Sequence, residues 1–276
     1  MKAPFKAFTA TFVSKAMISP SLARVTFTGD FTAVNFLGLD QRVKLIFPAP
    51  GHEPFIFPPN QDWYQSWKNA DHDTRGTMRS YTIKSMTTHE LIIDFAIHEP
   101  AASPAMVWLS QAQQGSTLTT ILPLLKRTQY VRPRLLGVEW NPPEYAVKLA
   151  IYADITSLPA AMNIVTDYLK HHDKRELSIQ LFLVNEEDAQ ELRELIAGQS
   201  HIKLKVLNFH PDKLHHHSGQ LLWDIGEQLS EKPKLYAWVA AERSIVRKIR
   251  QRLKQKELDL EISCMGYWRK GESALD

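Results

Sequence analysis

The sequence predicts a chain in two parts, an antiparallel β-barrel followed by a parallel-sheet α/β domain. Three observations carry this reading. The first half holds six short alternating segments and only one convincing helix. The second half repeats strand, helix, strand. A stretch rich in proline and arginine separates the two. Many short strands with one helix favour a closed barrel, whereas β-α-β alternation is the mark of a parallel sheet flanked by helices.

Each element follows from local pattern. Strands are expected at 8–13, 22–29, 42–47, 79–84, 91–98 and 117–122, where apolar and polar residues alternate. Six strands make a six-stranded barrel. Prolines and glycines separate them, and 48–73 is a long aromatic-rich insertion. A helix is expected over 104–113, with Ser103 as cap and Pro104 in the first turn. In the second half strands are expected at 146–154, 177–184, 203–207, 234–240 and around 262–265. Helices are expected at 158–171, 186–197, 221–228 and 243–256. The connector 126–145, with Arg132-Pro133-Arg134 and Asn141-Pro142-Pro143, places the boundary, and the domains are read as 1–130 and 131–276.

Composition sets further bounds. A chain of 276 residues is long for one domain and comfortable for two. Hydrophobic content of 44% and charged content of 23% are ordinary for a globular protein. No apolar run approaches the about 20 residues needed to cross a bilayer. Residues 1–6 lead into alternation rather than an apolar core, so no signal peptide is expected. A single cysteine, Cys264, excludes an internal disulfide and fits a reducing compartment, which makes the cytoplasm the expected location. With 33 basic and 30 acidic residues the charge is too balanced to argue for nucleic acid.

Two stretches carry chemistry. In Arg79-Ser80-Tyr81-Thr82, alternation sends Arg79 and Tyr81 to one face of a strand. A flat ring to stack on and a guanidinium fork that fits phosphate are what a flavin nucleotide requires. Asp94 to His98 then runs into a loop that opens a helix at Ser103-Pro104-Ala105, whose free N–H groups form an anion site. Trp108 on that helix reads equally as core. His215-His216-His217 lacks the spacing of a metal site and reads as an exposed loop, so no resident metal is expected. Cys264 reads as an inert core thiol, and His171-His172 as a helix end.

These residues resemble a known family. Arg79-x-Tyr81-Thr82, the Asp94 to His98 strand, and Ser103-Pro104-Ala105 with Trp108 look like the flavin site of the siderophore-interacting proteins. Those are ferric-siderophore reductases within the ferredoxin-reductase superfamily. In the second half, Asp154-Ile155-Thr156-Ser157-Leu158-Pro159-Ala160 is similar to that family's replacement for a glycine-rich loop. So are Trp238-Val239-Ala240-Ala241-Glu242, followed by Arg247 and Arg250, and the terminal Gly266-Tyr267-Trp268-Arg269-Lys270-Gly271. The resemblance covers nearly the whole chain in order. This chain departs in having Ser103 where the family usually has glycine before the proline, and Ala241 where it tends to have glycine before the glutamate.

The resemblance implies a Rossmann-like second domain and a flavin-binding first one. It implies FAD, with Arg79, Ser80, Tyr81 and Thr82 at the mononucleotide end, and Asp94, His98, Ser103, Pro104 and Ala105 holding the remainder. Trp268 would cover the flavin's other face. No proton-transferring catalytic side chain is needed, because the flavin carries the electrons. Lys44, Arg127 and Arg247 are the expected docking cations for an anionic ferric siderophore. Asp154, Thr156, Ser157 and Glu242 are the expected donor site. The first three lack the G-x-G-x-x-G fingerprint, so either NAD(P)H or a reduced ferredoxin is open as the donor. A monomer with no nucleic-acid or membrane partner is expected. Two other readings stay open: a general flavin or ferredoxin-type reductase without siderophore specificity, and a siderophore-binding module without redox activity.

Overall fold

The computed structural model describes residues 5–58, 62–97, 103–124, 133–208, 234–255 and 260–269. It divides into two compact units, one of Met1–Ile18 and Leu22–Glu139, the other of Ser19–Ser21 and Trp140–Asp276.

The first unit is a curled antiparallel sheet. Its strands are β1 (Phe5–Ser19), β2 (Leu22–Thr28), β3 (Arg42–Phe47), β4 (Thr77–Thr82), β5 (Ser85–Met86), β6 (Glu90–Ala96) and β7 (Thr117–Pro123), in the order β4-β3-β7-β1-β2-β6-β5. The two ends of that order are one stretch of chain. Ile83 N–H donates to Gln41 O on the β3 side, and Lys84 N–H to Ile92 O on the β6 side, each at 2.9 Å. Read as one interrupted strand, β4 and β5 close the sheet on itself, and the barrel has the six strands that alternation predicts. Closure removes the exposed edges.

Alternation fills the inside. Val25, Phe27, Val43, Leu45, Phe47, Leu91, Ile93, Phe95, Leu118 and Leu122 form one core, closed by Ala105, Met106 and Leu109 of helix α2 (Pro104–Gln111). On the outer face, Ile46 and Ile121 pack with Phe55, Phe57, Trp63, Trp67 and Met78. The aromatic insertion therefore covers one side of the barrel wall. It contains a helix that periodicity does not predict, α1 (Trp63–Asn69), capped by Asp62. Gly76 opens β4 with φ +71°, and a Cβ there would lie 2.3 Å from Phe47 O, so only glycine fits.

The second unit is a fully parallel sheet in the order β10-β9-β8-β11-β12, with β8 (Lys148–Asp154), β9 (Glu176–Leu183), β10 (Ile202–Asn208), β11 (Leu235–Glu242) and β12 (Leu260–Trp268). Buried on both faces, β8 and β11 read as continuous apolar runs. Helix α3 (Leu158–Lys170) buries Leu158, Ala161, Met162, Ile164, Val165 and Tyr168. The helix expected at 186–197 is a 3-10 turn, Glu186–Ala189, leading into α4 (Gln190–Leu195). Helix α5 (Arg243–Gln255) buries Ile245, Val246 and Ile249 and exposes Arg243, Arg247 and Arg250. The helix expected at 221–228 and the histidines 215–217 lie outside the described residues. Among the described residues no helix is long and apolar enough to cross a membrane.

Candidate functional site

The cross-strand register decides which residues can act together. Opposed residues of an antiparallel pair share a face. Val43 pairs with Tyr81 and Leu45 with Arg79, so Arg79 and Tyr81 face the barrel interior side. Lys44 pairs with Ser80 and Arg42 with Thr82, which turns those four to the opposite face. The Tyr81 ring lies 4.4 Å from that of Phe95 and 6.2 Å from that of Phe47. It therefore spans the two ends of the curled sheet. Burial raises its hydroxyl far above the usual phenol range, with Arg79 opposing in part, so Tyr81 is neutral. One Arg79 Nη donates to the Met78 carbonyl at 2.9 Å.

Thr82 supplies a different signal. It is 4% exposed and its Oγ1 is buried with no hydrogen-bond partner. Such a group is costly unless a ligand completes it. Nearby in sequence, Ser103 Oγ accepts the Met106 N–H at 3.3 Å and Pro104 occupies the first turn of α2, as the pattern predicts. Ala105 is buried in the core beneath. Trp108, partly buried, packs against that core, stacked on Phe27 with ring centroids 6.2 Å apart. A stacking ring and a guanidinium on one face of β4, an orphaned buried hydroxyl on its other face at the strand's end, and a capped helix opening are groups whose chemistry fits a flavin nucleotide.

Asp94, expected among the flavin-binding residues, is engaged in an ion pair. Its side chain is 1% exposed and accepts two hydrogen bonds from Arg24, at 2.8 and 2.9 Å, across the β2–β6 pair. Both carboxylate oxygens are engaged in this fork, a partnership that no local pattern announces. His98 and Arg127 lie outside the described residues.

Lys44, expected as a docking cation, is half-buried, and its ammonium donates to Ser80 Oγ at 2.5 Å. Desolvation first, and the Arg42 charge second, hold its pKa below the ordinary 10.5. Arg42 in turn pairs with Glu139 at 3.0 Å, and Arg134 meets the same carboxylate at 3.1 Å. Arg247 is exposed on α5.

The expected donor residues meet at the C-terminal edge of the parallel sheet. The strand order turns between β8 and β11, the switch point where α/β sheets bind ligands. Asp154 ends β8 and is 5% exposed. Its Oδ1 accepts from Thr156 N–H at 2.9 Å, Thr156 Oγ1 at 2.6 Å and Ser157 N–H at 3.3 Å. Its Oδ2 accepts from Glu242 N–H at 2.9 Å and Trp268 Nε1 at 2.7 Å. Ser157 Oγ donates to Ala240 O at 2.5 Å. Burial outweighs these bonds and raises the Asp154 pKa. Glu242 is buried at the end of β11, and one of its oxygens accepts from Ser244 N–H at 2.6 Å and Ile245 N–H at 3.2 Å, capping α5.

The terminal Gly266-Tyr267-Trp268 has a physical basis here. A Cβ on Gly266 would lie 3.1 Å from the Arg243 Cβ, so β12 passes close against the start of α5. A bulge then shifts the register, pairing Ala241 with Gly266 but Glu242 with Trp268. The extra residue re-aims the strand end and sets the indole on Asp154. Cys264, partly exposed, has its thiol pushed up to about 11 by burial and is not a thiolate at neutral pH. Among the described residues no group of three or more His, Cys, Asp or Glu side chains could hold a metal ion.

A family model described as a siderophore-interacting FAD-binding domain matches residues 11–127, and one described as siderophore-interacting protein matches 146–271. Ferric acinetobactin reductase of Acinetobacter baumannii is 29% identical over 204 residues, 71% of this chain and 62% of that protein, so the match spans less than two thirds of the curated relative's length. The siderophore-interacting protein SipS from Aeromonas hydrophila is 22% identical, with a TM-score of 0.72 over 98% of this chain and 93% of that one. A siderophore utilization protein from T. fusca is 23% identical, with a TM-score of 0.72 over 100% of this chain and 97% of that one. The fold extends to the Amycolatopsis cytochrome P450 reductase GcoB, 13% identical with a TM-score of 0.62, covering 97% of this chain and 72% of that one. With matches to both halves in order, the chain belongs to the siderophore-interacting protein family, and its first half is an FAD-binding domain.

Proposed function

We propose that the protein is a cytoplasmic reductase of ferric siderophores, with electrons passing from NAD(P)H or a reduced ferredoxin through FAD to Fe(III). The observation that carries this reading is the β4 segment: Arg79 and Tyr81 on one face, Tyr81 seated on Phe95, and Thr82 with an orphaned buried hydroxyl. FAD, when bound, accepts electrons in a pair and hands them on singly. Tyr81 offers the stacking surface, Arg79 the phosphate contact and Thr82 a hydrogen bond, while Ser103, Pro104 and Ala105 present the opening of α2 to the remaining phosphate. His98 belongs to the same proposal. Asp94 contributes by fixing Arg24 and the β2–β6 wall. Trp268 is proposed to shield the flavin ring from water.

The substrate is a siderophore that holds Fe(III) through hard oxygen donors. One electron lowers the metal's charge and weakens that grip, so iron leaves as Fe(II). Lys44, Arg127 and Arg247 are the proposed docking cations for an anionic chelate. Asp154, Thr156, Ser157 and Glu242, gathered at the switch point, are the proposed floor of the donor site. The protein is proposed to act as a monomer.

The test is an anaerobic titration of the FAD-loaded protein followed by its visible spectrum. Bleaching by NADH or NADPH identifies a pyridine nucleotide as donor, and bleaching only by reduced ferredoxin identifies the protein carrier. Return of the oxidised spectrum on adding a ferric siderophore is the expected result. A purified chain that stays colourless after FAD is supplied contradicts the proposal.

A further inference from the structure

Strand β9 breaks the pattern of the sheet around it. Strands of a parallel sheet are covered on both faces and read as apolar runs. β9 keeps to this on one face, with Leu177, Ile179, Leu181 and Leu183, but carries Ser178 and Gln180 ahead of Phe182 on the other. The register extends that polar strip sideways. Gln180 pairs with Tyr152 of β8 and Lys205 of β10, and Ser178 with Ala150 and Lys203. Opposed residues share a face, so two successive rungs carry a phenol, a carboxamide, a hydroxyl and two ammoniums.

These side chains line a cavity of about 70 Å³. A water needs about 10–15 Å³ by the same measure, so there is room for about five non-hydrogen atoms. Gln180 is 5% exposed, and its Nε2 is buried without a hydrogen-bond partner. Leaving a buried amide without an acceptor is costly unless a ligand supplies one.

The charges around the cavity are net positive. Glu176 accepts from Lys203 Nζ at 2.6 Å and stands 3.7 Å from Lys148 Nζ, and the Lys203 bond holds its carboxyl below the usual range. Two ammoniums thus face one carboxylate, and Lys205 on the next rung adds a third. Among the described residues no acidic side chain lines the cavity itself. Such donors and charge suit an anion rich in acceptors, and the size suits a tetrahedral one. The cavity is separate from the residues at the switch point. Asp154, Phe182 and Leu207 make the next rung, about 7 Å along the strands.

We propose that the polar face of β9 and β10 binds a tetrahedral oxyanion, phosphate as the free ion or as a phosphoryl group, with Gln180 Nε2 and Ser178 Oγ as donors and Lys203 and Lys205 as its counter-charge. Bound there, the anion ties β9 to β10 and stabilises the folded second unit. The inference stands independently of the reductase reading.

The experiment is equilibrium dialysis of the FAD-loaded protein against radiolabelled inorganic phosphate, in chloride buffer of constant ionic strength. One saturable phosphate per chain is expected. Gln180→Met keeps the length of the side chain and removes its N–H donors. It is expected to weaken binding about tenfold, the order of one hydrogen bond to a charged group. Ser178→Ala, at a partly exposed position, is expected to weaken it about fivefold. Phosphate is expected to raise the thermal unfolding midpoint of wild type more than that of Gln180→Met. In chloride alone Gln180→Met is expected to be at least as stable as wild type, having lost an unpartnered polar group. FAD content is expected to be the same in all three proteins. Methyl phosphate separates the two sources: displacing the label assigns a phosphoryl group on a larger ligand, and failing to displace it assigns the free ion. Absence of saturable binding to wild type marks a cavity that holds water only and overturns the inference. Binding that both Gln180→Met and Ser178→Ala leave unchanged overturns it as well.

Discussion

The Trp268 indole donates to the Asp154 carboxylate at 2.7 Å, which ties the end of β12 to the end of β8 across the intervening β11. The same carboxylate oxygen takes the Glu242 N–H from β11. One buried acid therefore gathers three strand ends at the switch point.

Those bonds make Asp154 a sensitive position of the second unit. Asp154→Ala strands the N–H groups of Thr156, Ser157, Glu242 and Trp268 and is expected to cost about 2–4 kcal/mol. Trp268→Phe removes a single donor and is expected to cost about 1 kcal/mol. Urea unfolding measures both. The pH dependence has a definite sign. Burial raises the folded pKa of Asp154 above its ordinary 3.8, so the folded state binds the proton more tightly. Its contribution is fully present below 3.8 and is lost as pH rises through the folded value. The stability of wild type minus that of Asp154→Asn is expected to fall across that window.

Thr82→Val separates cofactor binding from stability. The substitution keeps the shape and removes an unpartnered buried hydroxyl. The FAD-free protein is expected to gain about 1 kcal/mol, while FAD affinity falls about fivefold or more. Thermal unfolding and flavin fluorescence quenching read the two effects, which have opposite signs.

Arg24→Ala leaves the Asp94 carboxylate buried without its cation. Arg24 itself is 29% exposed at the side chain, which softens the loss. The expected cost is about 2 kcal/mol in barrel stability, below the full penalty for a deeply buried pair. Restoring the pair with lysine is expected to recover only part, because the two-pronged fork is lost. Chemical unfolding measures the series.

Lys44 predicts an alkaline limit to docking. The ammonium must be charged to hold an anion, and its pKa lies below the ordinary 10.5 because of burial and Arg42. The KM for an anionic ferric chelate is expected to rise as pH approaches that lowered value. Lys44→Arg, which stays charged, is expected to flatten the profile.

Much of this was legible in the sequence, and what was hidden has two physical causes. Alternation at 42–47 and 91–98, and the cap at Ser103-Pro104, are local signals, and the strands and α2 follow from them within a few residues. The pairing of Arg79 with Tyr81 on one face needs only a period of two. Partners across strands are another matter. That Arg24 faces Asp94, that Lys44 faces Ser80 and that Trp268 reaches Asp154 depend on register and on a bulge, neither of which local pattern encodes. Helix α1 was hidden because its aromatics, Trp63, Tyr64 and Trp67, sit in a segment whose prolines read as loop.

The most direct test of the account is a stoichiometric one. The FAD-loaded protein is photoreduced without air, mixed with excess ferric tris-catecholate, and followed by flavin absorbance together with a colorimetric Fe(II) chelator. The account predicts full return of the oxidised flavin spectrum and two Fe(II) released for each FAD, since a two-electron carrier feeds a one-electron acceptor. A flavin that stays reduced in the presence of the chelate, or that reoxidises without Fe(II) appearing, would contradict it.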